Sequence, residues 1–214
     1  MQPEKRQGHN QKQIEYFDER AHLWKNAVPA DIQERTAYIV NSSGVNSQST
    51  ILDVGTGSGV LIGHFLASGA RQSNVVGCDL SQQMLKLAMT RFHDVFFWRG
   101  DVMEFSFKSP MPSGFPDYIK GFSHVFFNAC FANMLDRRAV LEHSSRLLLA
   151  GGKVVISHPA PEFVSALHAS DPEIVPHLLP TREEATTWAN ELNMVVERFE
   201  SVANLYLAIF ERRE

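Results

Sequence analysis

The stretch Ile51-Leu52-Asp53-Val54-Gly55-Thr56-Gly57-Ser58-Gly59-Val60 decides the fold. A short apolar run reads as a strand, three alternating glycines follow, and Val60 to Ala67 continues with helical spacing. Glycines at such a turn permit positive φ angles and let a ligand press against bare backbone. The start of the next helix offers unpaired N–H groups to an anionic ligand group. In an open α/β sheet this turn lies at the carboxyl end of a strand, where ligands bind. The register discriminates between ligands. A dinucleotide loop wants Gly-x-Gly-x-x-Gly with a small residue where this chain has Val60, and no Gly-Lys-Ser/Thr follows to make a triphosphate loop.

Working outward, strand and helix patterns alternate. Strands are expected at Val75 to Cys78, Val95 to Trp98, Phe122 to Phe127 and Lys153 to Ser157. Helices are expected from Gln82 to about Phe92, capped by Ser81, and from Asp136 to Leu149, stopped by Gly151 and Gly152. This alternation implies parallel βαβ units wound on both faces of one sheet. The end departs from it. After a helix near Thr181 to Leu192, Met194 to Phe199 and Leu205 to Phe210 are separated by a short turn, so they form an antiparallel hairpin. Glu197, Arg198 and Glu200 mark the first as an edge strand, and the unbroken apolar second is expected to insert inside it.

Upstream, the polar first dozen residues read as a loose arm. An amphipathic helix is expected from Gln11 to Trp24 and, beyond Pro29, another from Asp31 to Val40 with Asp31 as its cap. Asn41 to Thr50 reads as a loop, and the proline-rich stretch from His158 to Pro180 as an insertion covering a site or simply lying on the surface. The organisation expected is a single domain over residues 1–214: a helical cap at 1–45, a ligand-binding core at 46–157, a substrate-side insertion at 158–180, and a helix with hairpin at 181–214.

Composition narrows the function classes. The chain has 214 residues, 44% of them hydrophobic, and at that size about 70% of the unfolded surface can be buried. A net charge of -4 lacks the basic footprint of a nucleic-acid binder. Two cysteines, Cys78 and Cys130, are too few for a disulfide framework and read as small buried apolar residues. No apolar run approaches the ~18 residues that span a bilayer. The polar beginning is unlike a secretory signal, so a soluble cytoplasmic protein without membrane or nucleic-acid partners is expected.

Two acids follow the glycine loop at the ends of the next strands: Asp79 in Val75-Val76-Gly77-Cys78-Asp79, and Asp101 in Gly100-Asp101-Val102. With Asp53-x-Gly55-x-Gly57-x-Gly59, the segment Leu147-Leu148-Leu149-Ala150-Gly151-Gly152-Lys153 and the final hairpin, the sequence resembles the class I S-adenosylmethionine-dependent methyltransferases, particularly the small-molecule, ubiquinone-biosynthesis-like group. The likeness runs from about residue 14 to 212 and departs from the family at Ala150, which stands where a proline is usual. It implies a seven-stranded, mostly parallel, Rossmann-like methyltransferase sheet with a C-terminal antiparallel hairpin, and S-adenosyl-L-methionine as cofactor. By resemblance, Asp53, Gly55, Thr56, Gly57, Ser58 and Gly59 form the loop that receives it. Asp79 takes the ribose hydroxyls, Leu80 packs on the adenine, Asp101 accepts from the adenine amino group, and the Val102 backbone meets a ring nitrogen. Met84 and Asn128 complete the cofactor set, and Tyr16 and Trp24 lie on a helix that lids it.

Each assignment has a plainer competitor. Asp79 equally suits a helix cap, Asp101 a loop acid, and Tyr16 and Trp24 ordinary core contacts. Among the histidines, His93 and His124 fall at the wrong sheet edge, and His64 and His143 ride on helices away from the site. His158 ends a parallel strand and is the candidate catalytic residue, as a base or a substrate contact, with a hydrogen-bonding loop residue as the alternative. His168 and His177 fall in the insertion, but without acids at ligand spacing no metal is expected. At the fourth strand's end, Asn128-Ala129-Cys130-Phe131 lacks the Asn-Pro-Pro-aromatic pattern of base-amine methyltransferases. Phe127, Phe131 and Phe163 are expected near the mouth, favouring a small organic acceptor. Methylation of protein or RNA, and cofactor binding without catalysis, are the alternatives.

Overall fold

The computed structural model describes residues 3–25, 28–108 and 111–213. Its centre is a seven-stranded sheet: β1 (Ile51–Val54), β2 (Val75–Asp79), β3 (Phe96–Arg99), β4 (Phe122–Asn128), β5 (Leu148–His158), β6 (Met194–Val202) and β7 (Leu205–Arg212). The spatial order is β3-β2-β1-β4-β5-β7-β6. β7 pairs antiparallel with both β5 and β6, while the β1–β2, β1–β4, β2–β3 and β4–β5 pairs are parallel. β7 therefore does insert inside the charged edge strand, and Leu205 through Phe210 are all buried. The order reverses between β1 and β4, which opens a crevice above their carboxyl ends.

Helices α1 (Pro3–Arg20), α2 (Ala30–Ser43), α3 (Val60–Ala67), α4 (Gln82–Met89), α5 (Arg137–Leu147), α6 (Glu162–Ser170) and α7 (Arg182–Glu191) cover the sheet. Two cores result. Leu52, Val76, Phe127, Ile156 and Phe210 pack on one face, and Ile51, Phe65, Val75, Phe126 and Ile209 on the other, as the alternation of side chains along strands requires. Ser81 caps α4 by accepting the Met84 N–H at 3.1 Å, and Thr181 and Glu184 close a capping box at the start of α7.

Several sequence expectations are corrected. The arm is helical from Pro3, held by polar contacts that hydropathy does not register; Met1 and Gln2 lie outside the described residues. Asp31 does not cap α2, whose N-cap is Pro29, and its carboxylate instead binds Arg35 one turn on. α2 runs into the expected loop as far as Ser43, where Gly44 at φ 82 ends it. α4 stops at Met89, short of Phe92. α5 ends at Leu147, and Leu148 already pairs with Phe122. Gly151 and Gly152 thus lie within β5, in an irregularity where the register passes from Phe122↔Leu148 to His124↔Lys153. A Cβ on Gly152 would stand 2.9 Å from the Leu149 carbonyl oxygen and 3.0 Å from that of Phe122, so only glycine fits. The proline-rich insertion is not structureless, because Glu162–Ser170 folds as α6.

Candidate functional site

A cavity of about 550 Å³ opens over the carboxyl ends of the parallel strands, within the usual range for a small-molecule site. Asp53 to Ser58 at the end of β1, Cys78 to Ser81 at the end of β2, Gly100 to Met103 after β3, Asn128 to Cys130 at the end of β4 and His158 at the end of β5 all line it. α1 closes it from above with Arg6, His9, Asn10, Gln13, Tyr16 and Phe17, and α6 flanks it with Phe163, Val164 and Leu167. Trp24, Leu80, Met84 and Val102 line it too; Gly59 is not among the lining residues.

The loop after β1 is built from backbone. Gly55, Gly57 and Gly59 adopt φ 64, 56 and 80, the left-handed region that favours glycine. A Cβ on Gly55 would lie 2.8 Å from both Cβ and Sγ of Cys130, and one on Gly57 3.1 Å from Cε of Met84. The Thr56 N–H donates to the Cys78 carbonyl at 3.0 Å, and its hydroxyl donates to Asp53 Oδ2 at 2.6 Å. The Gly57 N–H donates to Asp79 Oδ2 at 2.9 Å, and the Ser81 N–H to Asp79 Oδ1, also at 2.9 Å. Asp79 therefore ties the glycine loop to Ser81, the residue that caps α4, without capping the helix itself, and still borders the cavity. Burial pushes its carboxyl up to about 6, against the pull of the N–H groups of Ser81, Gly57 and Leu80 and with a further push from the Asp18 charge. Burial likewise raises Asp53 to about 7, opposed by the Thr56 hydroxyl and reinforced by Asp79.

Asp101 faces the cavity but is engaged from above. Its Oδ1 accepts the Met103 N–H at 2.9 Å; its Oδ2 takes the Asn10 amide at 2.8 Å and the Arg6 Nε at 3.3 Å. Asp18 anchors the other end of α1, accepting from the Ser81 hydroxyl and from the Gln83 N–H at 3.1 Å. Between them, Tyr16 packs edge-on against Phe17 at 5.2 Å, and Phe17 meets Trp24 at 6.0 Å. The Arg20 guanidinium lies 4.0 Å over the Tyr16 ring.

At the other end of the cavity, Asn128 Oδ1 accepts the hydroxyl of Ser157, its register partner, at 2.9 Å. His158 Nδ1 accepts the Ala160 N–H at 3.0 Å, and burial lowers the imidazole to about 4. Both cysteines line the cavity as donors to carbonyls, Cys78 to Gly100 at 3.3 Å and Cys130 to Val54 at 3.1 Å. Burial raises both thiols, which keeps them poor nucleophiles.

Of the aromatics expected at the mouth, only Phe163 is there, 65% exposed; alternation along β4 turns Phe127 into the core, and Phe131, in the short helical turn beyond β4, packs edge-on against it at 5.3 Å. His124 is buried at the opposite sheet edge, its Nε2 donating to the Ser43 carbonyl at 3.1 Å and its Nδ1 lying 2.9 Å from the Ser123 hydroxyl. His168 and His177 contact backbone carbonyls of Val175 and Leu135. Among the described residues no group of three or more His, Cys, Asp or Glu gathers as a metal would require. Nor is any helix among them long and apolar enough to cross a membrane.

Sequence reasoning missed Arg6, His9, Asn10 and Gln13. His9 meets the Asn133 carbonyl at 2.7 Å, and Gln13 donates to the Ile174 carbonyl at 2.7 Å while accepting from Asn133 at 3.1 Å. Polar residues in an unpatterned stretch give hydropathy no signal. Their recurrence at three- and four-residue steps, 6, 9, 10 and 13, was the available clue.

A methyltransferase-domain family model matches residues 52–154, from β1 to β5. The chain is 27% identical over 119 residues to the ubiquinone/menaquinone biosynthesis C-methyltransferase UbiE of Shewanella sp. (strain ANA-3), covering 56% of this chain and 46% of that protein. It is 30% identical over 136 residues to the demethylmenaquinone methyltransferase of Streptomyces griseus, covering 64% and 49% respectively. The chain thus spans about half the length of these curated relatives. Among solved structures, magnesium protoporphyrin IX methyltransferase (ChlM) from Synechocystis PCC 6803 with bound SAH superposes with a TM-score of 0.66 at 14% identity, covering 93% of this chain and 97% of that one. At such identity the superposition speaks to fold.

Proposed function

We propose that this chain is a class I S-adenosylmethionine-dependent methyltransferase that methylates a small organic acceptor by in-line displacement, a reading supported by the methyltransferase-domain match over residues 52–154. The observation that carries the proposal is convergence: the glycine loop, Asp79 and Asp101 stand at the ends of three different strands yet border one cavity. The residues fit the cofactor. Gly55 and Gly57 leave bare backbone where side chains would intrude on Cys130 and Met84, and an acid at Asp79 suits a pair of hydroxyls. S-adenosylmethionine supplies, when bound, a methyl carbon made electrophilic by its sulfonium.

In this reading Asp53, Thr56, Gly57 and Ser58 shape the seat of the amino-acid tail, Gly59 turns the chain into α3, and Asp79 holds the ribose. Leu80, Met84 and Val102 flank the adenine, Asp101 meets its amino group, and Tyr16 and Trp24 close the lid. His158 stands beyond, on the acceptor side, and this reading puts Asn128 there with it instead of in the cofactor set that the resemblance implies. Methyl transfer from a sulfonium needs mainly alignment and a shielded pocket, which α1 and α6 provide. The UbiE and demethylmenaquinone methyltransferase relatives act on quinone precursors by name, which supports a ring-bearing acceptor. Incubation with radiolabelled S-adenosylmethionine and a panel of hydroxylated aromatics, amines and carboxylates tests this. Label in a small acceptor supports the reading; label only in added protein or RNA overturns it.

A further inference from the structure

We propose that His158 is a hydrogen-bond donor to an oxygen of the acceptor rather than its base, and that the acceptor is a hydroxylated aromatic or enol that binds as its oxyanion. This deepens the function proposed above and rests on it. The ground is tautomer geometry. The Ala160 backbone N–H donates to His158 Nδ1 at 3.0 Å. A ring nitrogen that accepts an N–H carries no proton, so the neutral imidazole bears its proton on Nε2. The lone pair of Nδ1 is already used, and Nε2 has only a donor to give. Burial, which holds the imidazole down to about 4, keeps the ring neutral near pH 7.

Asn128 adds to this. Its Oδ1 takes the hydroxyl of buried Ser157, so its amide N–H groups are what it offers the cavity. Two neighbouring strand ends therefore present donors and no base. The charged or titratable groups that line the cavity with them are Asp53, Asp79, Asp101, Asp136, Arg6, His9, Tyr16 and the two thiols of Cys78 and Cys130, which burial keeps protonated. Arg6, the one Lys or Arg among the described lining residues, is held by Asp101 and Glu104. A carboxylate or phosphate acceptor would lack a cationic partner here. An oxyanion delocalised into a ring is a weaker anion that neutral donors can hold, with the apolar Phe163, Val164 and Leu167 beside it. Proton accounting is simple: the acceptor's proton passes to solvent on binding. The oxygen's electron pair then forms the bond to the methyl carbon, the carbon–sulfur pair stays on sulfur, and no protein group is protonated.

The test uses the full chain saturated with S-adenosylhomocysteine and 4-nitrophenol as an optical probe of its own ionisation. His158→Gln keeps an amide N–H near the Nε2 position and has no base; His158→Leu removes both. The bound probe should half-ionise about 1 pH unit below the free probe on wild type and on His158→Gln, the scale of one hydrogen bond to an anion, and lose that shift on His158→Leu. Methyl transfer should follow the same order. Probe ionisation unchanged or raised on wild type, no probe binding, or His158→Gln behaving as His158→Leu overturns the proposal. Should His158→Gln fail to fold, Asn128→Ala decides instead: a diminished shift supports the donor pair, an undiminished one overturns it. Failure of S-adenosylhomocysteine to bind removes the function beneath the inference; its binding alongside an unshifted probe removes the inference alone.

Discussion

Gly55→Ala puts the loop geometry under the sharpest strain. Gly55 sits at φ 64, where a residue with a Cβ costs about 1–2 kcal/mol. The new methyl would also lie 2.8 Å from the Cβ and Sγ of Cys130. Neither atom is free to withdraw, since the Cβ is fixed by the backbone at the end of β4 and the Sγ bonds the Val54 carbonyl at 3.1 Å. Overpacking of this kind adds about 1–3 kcal/mol, so the total loss should be about 2–5 kcal/mol. Gly44 is the internal control: its φ is 82, but a Cβ there meets nothing within 4 Å, so Gly44→Ala should cost only the conformational part, about 1–2 kcal/mol. Urea unfolding followed by tryptophan fluorescence measures both. Adding Cys130→Gly to Gly55→Ala should recover the contact part, giving a coupling energy of about 1–3 kcal/mol in a double-mutant cycle. Equal losses at Gly44 and Gly55, with no coupling to Cys130, would refute the tight seating of the loop.

The other predictions follow from the buried acids, the first helix and the last. Asp79, raised from 3.8 to about 6, and Asp53, raised to about 7, bind protons more tightly folded than unfolded. Their stabilisation is complete below about pH 4 and is lost as pH rises through 6 and 7, and for Asp79 the rise corresponds to about 3 kcal/mol. Unfolding free energy measured from pH 4.5 to 8 should therefore fall less steeply in Asp79→Asn than in wild type; parallel curves would contradict this. Asn10→Ala removes the amide that reaches Asp101 and should destabilise by about 1 kcal/mol, with faster amide exchange across α1 and not across β4. Unchanged α1 exchange would mean that this contact does not hold the lid. Thr181→Ala breaks the capping box of α7 and should cost about 1 kcal/mol in thermal or urea unfolding, whereas Thr186→Ala, on the exposed surface of α7, should cost less.

Much of the sheet was legible because strands buried on both faces leave unbroken apolar runs. β1 and α3 have the boundaries their patterns suggest, and the apolar Leu205–Phe210 beside the charged Glu197 and Arg198 revealed the inserted last strand. What escaped is held by polar or backbone geometry. Pro3–Arg20 folds as a helix because Arg6, Asn10, Gln13 and Asp18 find partners distant in sequence, which no local pattern encodes. Gly151 and Gly152 looked like a helix stop but serve an irregularity in β5, because two carbonyl oxygens crowd Gly152. At the site, the glycine loop and both acids were readable as spaced motifs, and the structure gathers them. The state of His158 was not, since it depends on a single N–H from Ala160.

The measurement that bears most directly on this account is isothermal titration of the wild-type chain and Asp79→Ala with S-adenosylhomocysteine. The account predicts binding of one molecule per chain, weakened by about 1–3 kcal/mol in the variant as hydrogen bonds to a charged group are lost. No binding, NAD binding in its place, or an affinity that Asp79→Ala leaves unchanged would contradict it.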